Sequence, residues 1–433
     1  MAIDTRVTLR NETMYCIFVR QFTPEGTFAA AERELDRVKA LGTDIIWLMP
    51  IHPIGKVQRK GSLGSPYANQ DYRAVNPEFG TLEDFIHLTE EIHRRGMKVI
   101  IDVVYNHTSP DSVLVKEHPE WFYHKADGSF GNHVGDWTDI IDLDYTQKGL
   151  WRYQIDTLKY WAQWVDGFRC DVAPMVPVAF WAQAREEVAQ VRPGALWLSE
   201  SVQPMFHDHM RSLGLTSYSD GEEYQAFDMT YEYDIYDDWL EALESQAGLD
   251  NYLHRLNLQE GQYPANYVKL RFLENHDRSR AAFLIPNREE RLNWTAFNAF
   301  KNGIMLIYNG QEFSAVNKPS LFDRDTMERD GEDISRVLTK LSELRRDELF
   351  AKGVFHCVSM GDGIVYAERR FGEDRLAGIF CLRGKKRSIR VPLAEGVYTD
   401  LFTGKSLRCE EGRMSTEGNP VIFRAKGSMG FFG

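Results

Sequence analysis

The sequence predicts an α/β protein: a (β/α)8 barrel with a small insert after its third strand and an antiparallel β-sandwich at its C-terminus. Three observations carry this. Over the first two thirds of the 433 residues, short β-branched runs alternate with helical patterns, the signature of a parallel sheet covered by helices. Residues 108–148 break that rhythm, being rich in His, Gly, Asp and aromatics without a period. From about Val354 the runs GIVYAERRF, LAGIFCL, SIRVPL and GVYTDLF are separated by Gly and charged turns, as in a small sandwich.

In order, Met14–Val19 reads as the first strand. Phe28–Leu41 follows as a helix, with Leu35, Val38 and Leu41 at helical spacing and Gly42 as its stop. Asp44–Met49 is the second strand. Thr81 and Asp84 form a capping-box pattern that opens a helix through Arg95, closed by Gly96. Lys98–Tyr105, the third strand, is apolar except at Asp102, as expected when both faces are covered. After the insert come a helix at Leu150–Trp164 and strands at Val165–Asp171, Leu196–Glu200, Tyr224–Met229, Val268–Asn275 and Gly303–Tyr308, eight in all. The expected organisation is a barrel of residues 1–107 and 149–350, an insert of 108–148 and a C-terminal domain of 351–433.

Composition narrows the function. A net charge of −13 argues against a nucleic-acid partner, which requires clustered Lys and Arg. The longest apolar runs are too short to span a bilayer. The N-terminal stretch carries charges where a signal peptide has an apolar core, and five scattered cysteines lack CxxC spacing. The expected location is therefore cytoplasmic. Oligomeric state is not legible in the sequence.

Polar residues gather at the C-terminal ends of the strands, where barrel enzymes build their sites. Strand three ends in DVVYNH (Asp102, Asn106, His107), strand four in DGFRCD (Arg169, Asp171), strand five in ALWLSE (Glu200) and strand seven in FLENHD (Asn275, His276, Asp277). Alternation along a strand points Arg169 and Asp171 the same way. Any one of these residues has an ordinary structural explanation, such as helix capping. Carboxylates at four strand ends repel one another, and that arrangement costs stability unless chemistry demands it. Paired carboxylates are the machinery of glycoside hydrolysis.

DVVYNH, GFRCD, LSE and ENHD, in this order, resemble the signature regions of the α-amylase family of glycoside hydrolases (family 13), over nearly the whole chain. The resemblance implies Asp171 as nucleophile, Glu200 as general acid/base and Asp277 as the third catalytic carboxylate. It implies Arg169 as the cation holding the nucleophile ionised, His107 and His276 as sugar-gripping histidines, Tyr67 as the aromatic platform under the sugar, and Asp102 as support behind Arg169. Asn106 and Asp142 resemble positions that bind a structural calcium in many relatives; an ordinary polar hinge is an equal reading. No cofactor is expected for the chemistry itself.

The implied activity is retaining hydrolysis of α-1,4-linked glucans or maltooligosaccharides through a glucosyl-aspartate intermediate. The alternatives are a transglycosylase on the same scaffold, a hydrolase of cyclic or α-1,6-containing oligosaccharides, and a non-enzymatic glycan binder. Pro174 and Met175 depart from the Lys-His pair common in α-amylases, which puts the leaving-group side in question. His207-Asp208-His209 has the HxH spacing of metal-dependent barrel hydrolases, but no further ligands accompany it and a loop lining the cleft is the simpler expectation.

Overall fold

The computed structural model describes residues 3–425; residues 1–2 and 426–433, the outermost parts of the expected barrel and C-terminal domain, lie outside the described residues. In chain order the first strands are β1 (Thr13–Ile17), β2 (Ile45–Leu48) and β3 (Lys98–Val103). A short antiparallel pair follows, β4 (His107–Thr108) with β5 (Ile141–Asp142). Then come β6 (Gly167–Cys170), β7 (Leu196–Ser199), β8 (Met229–Tyr231), β9 (Val268–Arg271) and β10 (Ile304–Tyr308). Eight of these close into a barrel in the order β1-β10-β9-β8-β7-β6-β3-β2, so the expected fold class is what forms.

The chain resolves into two compact units, one built mainly from residues 14–231 and the other mainly from 232–317 and 329–425. In the first, β1, β2, β6 and β7 are buried at every position, which explains why their sequences read as apolar runs rather than alternations. Gly167 has a steric cause: a Cβ there would lie 2.1 Å from the Leu196 carbonyl oxygen, so only glycine lets β6 start this close to β7. The helix Leu82–Arg94 opens with the reciprocal Thr81–Asp84 capping box and turns Phe85, Leu88 and Ile92 inward, as its spacing predicts.

Departures from the sequence reading include two elements here. The expected helix Phe28–Leu41 is two, Phe28–Glu32 and Leu35–Ala40, because the Glu34 N–H bonds three residues back to Ala31 and tightens the turn between them. The expected strand Tyr224–Met229 is not a strand until Met229. A capping box at Ser219 and Glu222 starts the helix Asp220–Glu223, and the Tyr224, Ala226 and Phe227 N–H groups bond back to Asp220 and Glu223. That local nucleus outcompetes the β propensity of an aromatic run.

In the second unit, the helix Arg288–Phe300 is buried from Arg291 to Phe300. Phe297 and Phe300 pack on Phe380, with ring centroids 5.2 and 5.5 Å away. Phe380 belongs to the first of two C-terminal antiparallel sheets. The strands here are β11 (Val354–Ser359), β12 (Ile364–Phe371), β13 (Asp374–Cys381), β14 (Ser388–Arg390), β15 (Gly396–Thr399), β16 (Ser406–Glu410), β17 (Arg413–Ser415) and β18 (Val421–Arg424). They pair as β11-β12-β13-β18 and β14-β17-β16-β15. Ile379 and Phe423 of one sheet share a core with Ile389 and Tyr398 of the other. No helix among the described residues is long and apolar enough to cross a membrane.

Candidate active site

Register builds the centre of the site. Asp102 on β3 lies opposite Arg169 on β6, and β6 runs beside β7 with Cys170 opposite Ser199. The residues one step beyond those partners, Asp171 and Glu200, therefore leave the barrel wall side by side. The buried Arg169 guanidinium ties the group together. Its Nη1 donates to Asp102 Oδ1 at 2.8 Å and to Asp171 Oδ1 at 2.7 Å, and its Nε donates to the Tyr231 hydroxyl at 3.2 Å. Nη2 lies 2.9 Å from Glu200 Oε1. That is a close ion pair without hydrogen-bond alignment, since Nη2 has no partner by angle.

Three carboxyls thus share one cation in a place where Asp102, Asp171 and Glu200 are all buried. The sequence reading expects Arg169 to hold Asp171 low. Its guanidinium does pull that way, but burial is the larger effect and pushes Asp171 up to about 6. Asp102 is raised to about 7 for the same reason, again against the pull of Arg169.

Glu200 is held from a second direction. The Val172 N–H donates to Glu200 Oε2 at 2.9 Å, and Val172 sits in left-handed backbone, φ 34° and ψ 44°. A β-branched residue there stores strain on the order of 1–3 kcal/mol. The contortion turns the peptide that follows Asp171 towards the expected acid.

Tyr67 and His107 complete this cluster. The Tyr67 hydroxyl donates to Asp102 Oδ2 at 3.2 Å, which fixes the ring with its centroid 5.5 Å from the Arg169 guanidinium carbon. His107 Nε2 is 3.9 Å from Asp171 Oδ2, and burial lowers the His107 pKa. Two residues escaped the sequence reading. Trp47 and Tyr231 place their rings 5.2 and 5.5 Å from the Arg169 guanidinium carbon, walls that favour a desolvated cation. Trp47 stands in an apolar strand where nothing separates it from core. Tyr231 lies just past the run misread as a strand.

His276 and Asp277 lie together in the second unit, beyond β9, with His276 Nε2 3.2 Å from Asp277 Oδ2. The expected strand Val268–Asn275 stops at Arg271, because the following backbone is organised by side chains. Glu274 accepts from Arg280 Nη1 and from the Ala281 N–H, each at 2.7 Å. Asn275 Oδ1 accepts from the N–H groups of Asp277 and Arg278 at 2.9 and 3.0 Å. Asp277 is left with its side chain 37% exposed, unlike Asp171 and Glu200.

The expected calcium residues do not make an oxygen cage. Calcium takes six to eight oxygens. Asp142 Oδ2 already accepts from the backbone N–H and the ring Nδ1 of His133, both at 2.7 Å. Asp142 Oδ1 is buried without a partner, and the Asn106 amide nitrogen is 3.1 Å from His107 Nδ1. One carboxylate oxygen and one amide oxygen remain, with an imidazole where another oxygen would be needed. The HxH residues lie on the helix Pro204–Ser212 rather than in a loop, so successive alternate residues face different sides. His207 is spent on the Ser217 hydroxyl at 2.7 Å. Among the described residues the one group of three metal-type side chains is Glu32, His87 and Glu91, where Glu91 already pairs with Arg94 and Arg95.

The comparisons with known proteins meet this geometry. The family profile "Alpha amylase, catalytic domain" matches residues 17–120 and 112–351, and "Bacterial Alpha amylase C-terminal domain" matches 356–423. The chain belongs to the α-amylase family. It is similar to an alpha-amylase from Lactobacillus plantarum whose crystal structure is 48% identical, with a TM-score of 0.95 over 97% of this chain and 100% of that one. A noncanonic maltogenic alpha-amylase from Thermotoga neapolitana is 32% identical, with a TM-score of 0.86 over the same shares. An alpha-1,4-glucan:maltose-1-phosphate maltosyltransferase of Myxococcus xanthus is 35% identical over 45% of this chain. That match spans 33% of the maltosyltransferase, so the chain corresponds to about a third of that curated relative. This α-amylase-family enzyme thus has relatives named as amylases and relatives named as transferases.

Proposed function

We propose that this enzyme cleaves α-1,4-linked glucans or maltooligosaccharides with retention, through a glucosyl ester on Asp171. The observation that carries the reading is the shared guanidinium: Arg169 contacts both Asp171 and Glu200 from adjacent strands. That brings the two carboxyls close, and a retaining site needs them about 5–5.5 Å apart. Asp171 attacks the anomeric carbon while Glu200 protonates the departing oxygen. Glu200 then takes the proton from water as the ester is hydrolysed. Tyr67 and His107 hold the ring being attacked, and His276 and Asp277 are assigned to sugar hydroxyls of the cationic transition state. A cytoplasmic setting belongs to the same reading; all five cysteines are buried.

Transfer to a second sugar is the alternative, favoured by the maltosyltransferase relatives. Maltotriose incubated with excess labelled glucose separates the two. Hydrolysis yields unlabelled glucose and maltose, with label left in glucose. Predominant label in longer saccharides would replace the hydrolase reading by the transferase.

The nucleophile must be ionised, so activity follows the titration of the Asp102–Asp171 pair. With Asp171 raised to about 6, turnover is lost as pH falls through that value and Asp171 gains its proton. The acid limb of kcat/KM is therefore expected near pH 6, and a limb near the ordinary aspartate value of about 4 would contradict this electrostatic picture.

On the leaving-group side, Pro174 is buried and Met175 half-buried in the turn Ala173–Met175. Met175 also lines a cavity of about 780 Å³ whose walls include Phe122, Tyr123, His124 and Met210 but no Lys or Arg. Such walls offer a long glucan no Lys or Arg donor but carboxylate acceptors such as Glu120 and Asp144. We expect higher kcat/KM on maltotriose to maltohexaose than on amylose; the reverse order in initial rates would refute this.

A further inference from the structure

We propose that His133 stands in for a metal ion in fastening the insert, and that it thereby acts as a positioning residue for His107. Both donors of His133 converge on one oxygen, Asp142 Oδ2, each at 2.7 Å. A carboxylate only accepts, so Nδ1 is the ring nitrogen that carries the proton. The Asp142 side chain is only 3% exposed, and a carboxylate this buried must be satisfied by donors or by a cation. The imidazole and the peptide N–H do so for Oδ2 from within the chain, while Oδ1 has no hydrogen-bond partner.

The clamp reaches the site by two short routes. Asp142 lies opposite His107 in the β4–β5 pair, so holding Asp142 holds the backbone of the histidine that faces Asp171. The Asp142 N–H also donates to Gly131 O at 2.9 Å, which closes residues 131–142 into a loop. Within it Asn132 Nδ2 donates to the Trp137 and Ile140 carbonyls at 3.0 and 3.2 Å. The loop lays Trp137 against His107, with ring centroids 5.6 Å apart. The Tyr123 ring, 4.0 Å from that of His133, backs the clamp. Lys60 ties the same loop from outside it, 2.9 Å from Asp139 Oδ1 and donating to Asp136 O at 3.2 Å.

The test measures melting and kinetics on the full chain, and only its kinetic arm rests on the glycosidase reading. The wild type should melt at the same temperature in excess EDTA and in millimolar calcium chloride, because a ligand that does not bind shifts nothing. His133→Ala should melt several degrees lower in both. It should lose kcat/KM on an aryl α-maltoside by roughly tenfold, a typical cost of removing a group that orients an active residue, with the loss in kcat rather than KM. His133→Asn keeps an N–H donor near the Nδ1 position and should recover most of both properties. A wild-type melting temperature that rises with calcium and falls with EDTA would overturn the proposal. So would a His133→Ala variant with wild-type kcat, or a His133→Asn variant no better than His133→Ala.

Discussion

Asp171→Asn is expected to abolish turnover of every glycoside, by a factor on the order of 10⁴ or more, because no covalent intermediate can form. The fold should survive. An asparagine presents its amide oxygen where Asp171 Oδ1 now accepts from Arg169 Nη1, and the change removes one of the three buried carboxyls around a single guanidinium. Unfolding should therefore occur at or above the wild-type temperature while reducing-sugar release disappears. A variant that keeps even a tenth of wild-type kcat on maltotriose would remove Asp171 from the nucleophile's role.

Glu200→Gln should fail differently. The variant cannot protonate a departing sugar, so natural oligosaccharides should turn over very slowly. Fluoride leaves without a proton, so α-glucosyl fluoride should still charge Asp171. Breakdown of the ester, which needs general-base help, becomes slow, and added azide should speed it and emerge as α-glucosyl azide. The geometry makes this a clean test. The amide oxygen of the substituted side chain could still accept from the Val172 N–H that now bonds Glu200 Oε2, so its placement should hold. A β-configured azide product, or azide rescue in the Asp171 variant instead, would show that the two roles are reversed.

Much of this is legible in the residue order because the signals are local. A strand covered by helices on one side and core on the other must be apolar, so β1, β2 and β3 announce themselves. Thr81 and Asp84 cap their helix as spelled. Polar residues that break such a strand only at its C-terminal end stand out, which is what singles out Asp102, Arg169, Asp171 and Glu200 in the bare sequence. Their roles come from resemblance to the α-amylase family rather than from spacing.

What the sequence by itself determined is the barrel and the C-terminal sheets, with Asp102, Arg169, Asp171 and Glu200 marked at strand ends, since periodicity and alternation are properties of neighbours along one chain. What only the tertiary structure decided depends on distance between segments. Burial from all sides outweighs Arg169 and raises Asp171, a balance no two-residue spacing contains. Trp47 and Tyr231 wall the guanidinium from β2 and β8, and a ring in an apolar run carries no mark of what it faces. His133 reaches Asp142 across a closed loop and occupies an oxygen that the sequence left open to calcium, because ligand identity is set by which donor arrives in space.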